Sequence, residues 1–392
     1  MIPYGKQAIS QQDIDAVIEV LNSPWLTQGP KVPEFEAAVS QYCQVNFATA
    51  VNSATSALHI ACLALGVGHN DIVWTSPNSF VASANCALYC GAKVDFVDID
   101  PHTGNLCAQT LAAKLEIAQQ NNTLPKVVIP VHFAGQSCDM AAIHTLAKQY
   151  DFKIIEDASH AVGGKYKNSP VGNCQYSDIC IFSFHPVKIV TSAEGGMALT
   201  NNKALDAKLK LYRSHGVTAD PSLLENDPHG PWYYEQQVLG FNYRMTDLHA
   251  ALGASQLKQL NQFVSKRNTL ANYYDTLFDA HANVHPLKQC GGVYNAYHLY
   301  VVRIVDCTGE LHEHLVKELR AKNIFCHVHY IPIYLQPYYR QQGFSQGYCP
   351  NAEAYYHSAI TLPLFPELTQ QEQEYIVATL VDVLDVLSDD QL

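Results

Sequence analysis

The stretch that decides the fold runs from residue 126 to residue 158 and reads KVVIPVHFAGQSCDMAAIHTLAKQYDFKIIEDA. Two short β-branched runs, at 126–131 and 153–158, flank a segment at 139–150 whose apolar residues recur at helical spacing. A strand, a helix and a second strand in this order form a crossover, and crossovers build parallel sheets. This stretch therefore predicts an α/β fold.

The same alternation of strand-like and helix-like segments extends from residue 34 to residue 200. The predicted strands are ATAV (48–51), DIVW (71–74), KVDFVD (93–98), KVVIPV (126–131), KIIEDA (153–158), DICIFSF (178–184) and GMALT (196–200). The predicted helices include EFEAAVSQY (34–42), SFVASANCALY (79–89), LAAKLEIAQQ (111–120) and DMAAIHTLAKQY (139–150). We expect a mainly parallel seven-stranded sheet between layers of helices, with ligand sites beyond the carboxyl ends of its strands.

A second, smaller domain is predicted to follow. Residues 245–280 have apolar positions at helical spacing and begin with Thr246 as a plausible cap, which predicts a single long helix linking two domains. The later segments AYHLYVVRIV, ELHEHLVKELRAKN, IFCHVHYIPI and QEQEYIVATLVDVLDVL are typical of an α+β domain. The predicted domains are residues 1–245, with an N-terminal substrate segment, and residues 246–392. The Pro- and Asp-rich stretch at 219–236 is predicted to be a long loop.

Composition excludes several classes of partner. The chain has 392 residues, is 48% hydrophobic and carries a net charge of −12 without a Lys/Arg run, so we expect neither a nucleic-acid nor a membrane partner. No stretch approaches the roughly 20 apolar residues of a membrane span, and MIPYGKQAISQQD does not resemble a leader, so we expect a cytoplasmic protein. The 12 cysteines are scattered, and the closest pair, Cys86 and Cys90, lacks partners at zinc-site spacing. We therefore expect reduced thiols and no metal.

Three kinds of group are predicted to meet at the carboxyl edge of the sheet. Asp157 ends one predicted strand, and Ser183 and Lys188 lie on and just beyond the next. A strand-to-helix turn, where free N–H groups and hydroxyls suit a phosphate, carries Ser53, Thr55 and Ser56. Each of these groups also has a structural explanation: Lys188 as a solvated loop lysine, Asp157 as a structural carboxylate, and Ser53 or Thr55 as a helix cap. Together they offer the amine, the acid and the dianion site that pyridoxal 5'-phosphate (PLP) requires.

The chain resembles the DegT/DnrJ/EryC1/StrS sugar aminotransferases, which have the PLP-dependent transferase fold type I. The matching stretches are PYGKQAI, WLTQGPKVPEFE, SATSALHIA, SPNSFVASAN, VDID, VHFAG, IIEDASHAVGGKY, FSFHPVKI, EGGMALT, RSHGV, GFNYRMTDLHAALGASQL, HLYVVRI, HVHYIPIYLQPYY and LPLFPEL. The stretches PWLTQGP, HGPWYYEQ and HYIPIYLQPYYRQ are most similar to family members of pseudaminic acid synthesis. This likeness implies transfer of the amino group of L-glutamate to C4 of a UDP-4-keto-6-deoxy-N-acetylhexosamine.

The resemblance also implies roles for individual residues. Lys188 would form the internal aldimine with PLP and act as the base that moves the proton, and Asp157 would pair with the pyridine nitrogen. His160 would face the cofactor hydroxyl and Phe80 would stack on the ring. The phosphate would be held by Ser183 and by the turn that contains Ala54, Thr55 and Ser56. Asn242 would reach the phosphate of the neighbouring subunit, which implies a homodimer with shared active sites and ping-pong kinetics.

Substrate-side residues follow from the same resemblance. The loop of Trp25, Leu26, Thr27, Gln28 and Gly29 would lie near the sugar nucleotide, with His329 and Tyr330 facing the same pocket. His327 alternates with His329 on a predicted strand, and packing or substrate contact would explain either histidine. Local positive charge for a diphosphate or a donor carboxylate could come from Arg213, His215 or Arg244.

One departure and several alternatives accompany this interpretation. Relatives place glycine where this chain has Ala193, and a positive φ there would cost alanine about 1 kcal/mol. Sugar 3-dehydratases of the family carry histidine at the position of Lys188, whereas His185 lies three residues earlier here. The remaining alternatives are another nucleotide-sugar 3- or 4-aminotransferase and a PLP-binding sensor without turnover. A nicotinamide dehydrogenase is disfavoured because no GxGxxG turn follows the first strand.

Overall fold

The computed structural model describes residues 1–389, in which strands and helices alternate. The strands are β1 (Ile2–Pro3), β2 (Phe47–Val51), β3 (Ile72–Thr75), β4 (Lys93–Phe96), β5 (Val127–Ile129), β6 (Lys153–Asp157), β7 (Lys165–Tyr166), β8 (Ser169–Pro170), β9 (Ile179–Ser183), β10 (Gly196–Thr200), β11 (Val217–Thr218), β12 (Glu235–Gln236), β13 (Val284–Pro286), β14 (Val293–Tyr294), β15 (Tyr300–Ile304), β16 (Ile324–Phe325) and β17 (Ala359–Leu362). The helices are α1 (Gln11–Leu21), α2 (Lys31–Cys43), α3 (Ala54–Ala64), α4 (Ala82–Tyr89), α5 (Ala108–Gln120), α6 (Met140–Tyr150), α7 (Lys203–Arg213), α8 (Asp247–Leu257), α9 (Leu260–Phe278), α10 (Gly309–Ala321), α11 (Pro337–Arg340), α12 (Pro350–Ser358) and α13 (Gln370–Asp389). Residues 390–392, at the end of the predicted second domain, lie outside the described residues.

A seven-stranded sheet in the order β2-β10-β9-β6-β5-β3-β4 contains all the strands predicted between residues 48 and 200. β3 pairs in parallel with β4 and β5, and the parallel pairing continues through β6 to β9. β10 runs antiparallel to both β9 and β2. The prediction of a mainly parallel seven-stranded sheet is confirmed. The carboxyl ends of β2, β6 and β9 therefore lie at the same edge of the sheet as the first residue of β10.

Helices cover both faces of this sheet, because its strands bury side chains on both sides. Ile155 packs into the core that contains residues of α3 and α4, whereas its neighbour Ile154 packs with Leu111 and Ile143 of α5 and α6. Successive strand residues point to opposite faces, so an apolar run such as Ile154–Ile155 fills two cores at once. Each fully buried side chain of this kind contributes about 2 kcal/mol.

A three-stranded antiparallel sheet of β13, β15 and β17 forms the base of a separate core. α9 packs on β13 and on α13, α13 also packs on α10, and all three helices contribute side chains to this second core. The part of the chain after residue 280 is therefore α+β, as its sequence pattern predicts. The domain boundary after residue 245 stays a prediction.

The prediction of one helix over residues 245–280 is wrong. The structure has two helices, α8 and α9, separated at Lys258 and Gln259, whose N–H groups donate to Ser255 and Gln256 carbonyls. α8 packs on α1 and α2, whereas α9 packs on β13 and α13, so the chain changes direction between two cores. Apolar spacing continues through the break, and for that reason the sequence pattern does not reveal it.

The start of α4 also differs from the prediction. The helix begins at Ala82 rather than at residue 79, and no side chain caps its first turn. Ser79 and Phe80 belong to the preceding loop, where Phe80 is 60% exposed. Among residues 1–389 no helix is long and apolar enough to cross a membrane. Among the side chains that the structure describes, residues 1–386, no group of three or more His, Cys, Asp or Glu could hold a metal ion.

Candidate active site

A cavity of about 520 Å³ lies at the carboxyl edge of the seven-stranded sheet. Its walls come from the ends of β6 and β9, the first turn of α3, the loop before α4, and the segment 327–331 that follows β16. The cavity brings together many of the predicted site residues, namely Ala54, Thr55, Phe80, Asp157, His160, Ser183, Lys188, His329 and Tyr330. The edge at which parallel strands end therefore forms a cavity with amine, carboxylate and hydroxyl groups on its walls.

Lys188 supplies the amine of the cavity. It follows β9 in a turn where its N–H donates to the His185 carbonyl at 2.9 Å. Its Nζ lies 3.4 Å from Nε2 of His298. Burial of the amine lowers the pKa of Lys188 to about 8, and the Asp157 carboxylate opposes this shift. A larger fraction of this lysine is therefore uncharged near neutral pH than of an exposed lysine.

Asp157 supplies a buried carboxylate at the end of β6. Its Oδ2 accepts a hydrogen bond from the Ser83 hydroxyl at 2.6 Å, and its Oδ1 accepts one from the Ser159 hydroxyl at 2.6 Å. The Ser159 N–H donates to Oδ1 as well, at 3.1 Å. Because donors from α4 and from its own turn hold both oxygens, the carboxylate has one fixed orientation in the cavity.

The first turn of α3 forms an anion cradle. The Ser53 hydroxyl caps the helix by accepting the Ser56 N–H at 3.1 Å, which leaves the N–H groups of Ala54 and Thr55 without partners among residues 1–389. A Cβ on Gly196, the first residue of β10, would lie 2.5 Å from the Ala54 nitrogen. Only glycine allows this approach. Free N–H groups at a helix N-terminus suit a phosphate.

Ser56 does not take the predicted place in this cradle. Its hydroxyl donates to Oδ1 of Asn52 at 2.7 Å and does not line the cavity. Its backbone N–H is the group that Ser53 caps. The structure therefore brings Ala54, Thr55 and Ser183 to the cavity and turns Ser56 away from it.

Two buried imidazoles border the amine. The rings of His160 and His298 have their centroids 4.4 Å apart, and Nε2 of His160 lies 3.2 Å from the Tyr330 hydroxyl. Burial and the nearby Lys188 charge lower the pKa of both histidines well below the ordinary value, so both are neutral. Nδ1 of each ring is buried without a partner among residues 1–389. Both histidines line the cavity, and an unpaired buried polar atom in such a wall is consistent with a polar ligand or water that would pair with it.

Several predicted substrate residues do not line this cavity. Arg213 donates to Glu36 at 2.6 Å and to the Ala50 carbonyl at 2.9 Å, so its charge is already paired. The loop of residues 25–29 is tied to the start of α8, because the Gly29 N–H donates to the Asp247 carboxylate at 2.8 Å. The other predicted residues outside the cavity lining are Trp25, Thr27, Asn242 and Arg244.

Sequence reasoning missed four residues of the site. Ser83 and Ser159 fix the Asp157 carboxylate, and Ser83 lies four residues after Ser79, whose hydroxyl it contacts at 2.7 Å. That serine spacing in SPNSFVAS was a usable signal. Tyr4, whose ring lies 5.4 Å from that of His329, and His298 come from distant parts of the chain and carry no local signal.

Ala193 adopts the strained backbone that its position was expected to need. Its φ is +65°, in the left-handed region, and its N–H donates to the Thr191 hydroxyl at 3.0 Å. The turn brings Gly195 and Glu194 to the cavity wall. The cost to alanine is about 1 kcal/mol, which the surrounding turn tolerates.

The donor set fits PLP. A buried amine can bond to its aldehyde, a fixed carboxylate can hold a proton on its ring nitrogen, and the α3 cradle can bind its phosphate. Fold and site together define a PLP-dependent enzyme of fold type I. The sequence profile of the DegT/DnrJ/EryC1/StrS aminotransferase family matches residues 7–381, and the chain belongs to that family. Its cofactor is pyridoxal 5'-phosphate.

Individual relatives cover nearly the whole chain. The UDP-4-amino-4,6-dideoxy-N-acetyl-beta-L-altrosamine transaminase of Campylobacter jejuni is 38% identical over 385 residues, which are 98% of this chain and 98% of that protein. The structure of Helicobacter pylori PseC, an aminotransferase involved in the biosynthesis of pseudoaminic acid, has a TM-score of 0.89 at 31% identity and covers 98% of this chain and 99% of its own. The PLP form of Spr1654 from Streptococcus pneumoniae has a TM-score of 0.88 at 31% identity and covers 97% of this chain and 98% of its own.

Proposed function

We propose that this sugar aminotransferase transfers the amino group of L-glutamate to C4 of a UDP-4-keto-6-deoxy-N-acetylhexosamine in pseudaminic acid synthesis (EC 2.6.1.92). The observation that carries the proposal is the Lys188 amine, which lies in the cavity opposite a carboxylate fixed by two serines. The names of the Campylobacter jejuni relative and of PseC support the choice of sugar. A cytoplasmic location is part of the same proposal.

When bound, PLP supplies an aldehyde that captures amino groups and a ring that accepts an electron pair. Asp157 would keep a proton on the ring nitrogen, and the N–H groups of Ala54 and Thr55, with the Ser183 hydroxyl, would hold the phosphate. Lys188 would take a proton from the carbon that bears the amino group and return it to the carbon on the other side of the nitrogen. A pKa of about 8 suits this role, because an amine near neutrality can both accept and release a proton.

His160 and Phe80 complete the proposed cofactor site. His160 is neutral and keeps one buried ring nitrogen free to pair with the cofactor hydroxyl. Phe80 is exposed on the cavity wall, where a ring could lie against it. Donor and acceptor would use the same cavity in turn, so the kinetics should be ping-pong.

The proposal includes a homodimer with shared active sites. Glutamate and a nucleoside diphosphate sugar carry several negative charges, yet no arginine of the described chain lines the cavity. Some of the predicted residues outside the cavity lie on segments that pair with each other. Thr27 forms an isolated β-bridge with Thr246, and Arg244 forms one with Val51 at the end of β2, so these residues define one surface. The Arg244 guanidinium has no side-chain partner among residues 1–386, whose side chains the structure describes. We infer that this surface faces the cavity of a second copy.

Exposed apolar side chains between residues 232 and 239 also support the dimer. Trp232 and Tyr234 of the predicted loop at 219–236 are 70% and 63% exposed, and Leu239 is 80% exposed. Large apolar groups concentrated in one segment are typical of an interface rather than of a free surface. In the dimer, Asn242 and Arg244 of one subunit would supply donors to the phosphate or substrate in the other. Trp25, Thr27 and Gly29 would approach the sugar nucleotide from the same side.

The direct test offers UDP-linked 3-keto and 4-keto sugars with glutamate and identifies the product by NMR. The proposal expects an amine at C4 and one equivalent of 2-oxoglutarate per amino sugar. An amine at C3 would contradict the substrate and would indicate another member of the same family. A protein that binds PLP but forms no 2-oxoglutarate with any of these sugars would be a sensor.

A further inference from the structure

His298 is a buried histidine at the amine of Lys188. Its side chain comes from the segment just before β15, and Nε2 lies 3.4 Å from Nζ of Lys188. The ring is 5% exposed, and burial together with the charges of Lys188 and Arg267 lowers its pKa well below the ordinary value. The imidazole is therefore neutral and has one nitrogen that can accept a hydrogen bond.

The chemistry of lysine decides which nitrogen accepts. A protonated lysine has three N–H donors and no acceptor, so the nitrogen that faces it must offer a lone pair. Nε2 faces Nζ, which places the ring proton on Nδ1. We propose that His298 is a positioning residue for Lys188, accepting a hydrogen bond at Nε2 and thereby holding the lysine amine in the cavity whenever it is not bonded to the cofactor. The proposal rests on the role assigned to Lys188 above.

Arg267 fixes the backbone from which His298 projects. Its side chain is 1% exposed on α9, and its Nη1 donates to the carbonyls of Tyr297, His298 and Leu364 at 3.1, 3.3 and 3.0 Å. The hydrogen bonds that the structure describes for it all go to carbonyls, and burial lowers its pKa to about 10. A buried cation that bonds to three carbonyls from two chain segments holds those segments in one arrangement. His298 therefore meets Lys188 at a fixed distance.

The other groups around the amine make no hydrogen bond to Nζ among the residues that the structure describes. Asp157 raises the pKa of Lys188 through its charge, and its oxygens accept hydrogen bonds from Ser83 and Ser159. His160 pairs with the Tyr330 hydroxyl through Nε2, and His329 pairs with the Thr361 hydroxyl at 2.9 Å. His298 is the partner for which the structure gives a hydrogen bond to Nζ among residues 1–389.

The test measures the pKa of Lys188 in the cofactor-free protein by competitive acetylation and peptide mapping. His298→Gln and His298→Asn form a matched pair, because the glutamine amide reaches the position of Nε2 and the asparagine amide reaches only that of Nδ1. Loss of the acceptor removes a hydrogen bond that stabilises the ammonium form. We expect the pKa of Lys188 to fall by about 0.5 to 1 unit in His298→Asn and to stay within about 0.3 unit of the wild-type value in His298→Gln.

Equal pKa values of Lys188 in the wild-type protein and in His298→Asn would overturn the proposal. An equal fall in both variants would overturn it too, because a structural role of the ring does not depend on which atom the replacement reaches. Thermal unfolding of each variant shows whether it is folded at the temperature of labelling. If His298→Asn is unfolded, a lysine pKa in the glutamine variant that differs from the wild-type value by more than about 0.3 unit still overturns the proposal. No sugar substrate is used, so failure here is distinct from failure of the proposed reaction.

Discussion

Lys188 ends an apolar run because the end of β9 opens into a cavity rather than into the core. A charged amine among apolar residues is unfavourable unless it is paired or loses its proton. Here a carboxylate lies nearby and the pKa falls to about 8, so the site accommodates both forms of the amine. A lysine that changes charge near neutral pH is what a proton-moving residue needs.

The lowered pKa gives a pH prediction for cofactor attachment. Only the uncharged amine attacks an aldehyde, and Lys188 loses its proton as pH rises through about 8 rather than through 10.5. The rate at which cofactor-free protein takes up PLP, followed by absorbance in a stopped-flow instrument, should rise about tenfold per pH unit below pH 8 and level off above it. A rate that keeps rising to pH 10 would show that the lysine has its ordinary pKa.

Elements bring the phosphate cradle together by close backbone contact. β10 approaches the first turn of α3 so closely that its first residue, Gly196, has no room for a side chain. Beside this contact, Ala54 and Thr55, whose N–H groups have no partner among the described residues, line the cavity. The position of a single glycine on one strand therefore controls the geometry of a helix N-terminus.

A substitution at that glycine tests the cradle. Gly196→Ala would place Cβ 2.5 Å from the Ala54 nitrogen and force the two backbones apart. We expect at least about a tenfold loss of PLP affinity and a free energy of unfolding lower by about 1–3 kcal/mol. Equilibrium dialysis and urea unfolding measure the two effects. Gly309→Ala is the control, because a Cβ there has open space and its PLP affinity should match the wild type. Unchanged affinity in both variants would contradict the cradle.

The sequence pattern predicts elements better than their arrangement. All the predicted strands between residues 48 and 200 lie in one sheet, because β-branched runs buried on two faces have a clear local signature. The antiparallel direction of β10 and the break between α8 and α9 depend on which elements pack together. The local spacing of apolar residues predicts neither the direction of β10 nor this break.

At the scale of the whole molecule, the site is only partly encoded in local motifs. Asp157, Ser183 and Lys188 lie near one another in the chain, so strand order alone predicts that they meet. His298 lies 110 residues after Lys188 and reaches it because Arg267 ties its backbone in place. No arginine lines the cavity wall of the described chain, although a diphosphate needs positive charge, and this leads to the proposed second copy.

Mixing two inactive variants tests the shared site. Lys188→Ala removes the amine, and Asn242→Asp places a negative charge where a phosphate donor is proposed. Each variant alone should fold and be inactive. After co-refolding, mixed dimers would contain one site with both native residues, so about one quarter of the wild-type activity should return. In the control, Lys188→Ala is co-refolded with Asp279→Asn instead of Asn242→Asp, because Asp279 is exposed and is not among the predicted site residues. No recovery beyond the sum of the separate variants would contradict sharing.

Reduction of the PLP-loaded protein with borohydride, followed by peptide mapping, tests the bond between Lys188 and the cofactor. We expect one phosphopyridoxyl label per chain, on the peptide that contains Lys188, and no label on that peptide in Lys188→Ala. A label on a different lysine of the wild-type protein, or none at all, would contradict this bond.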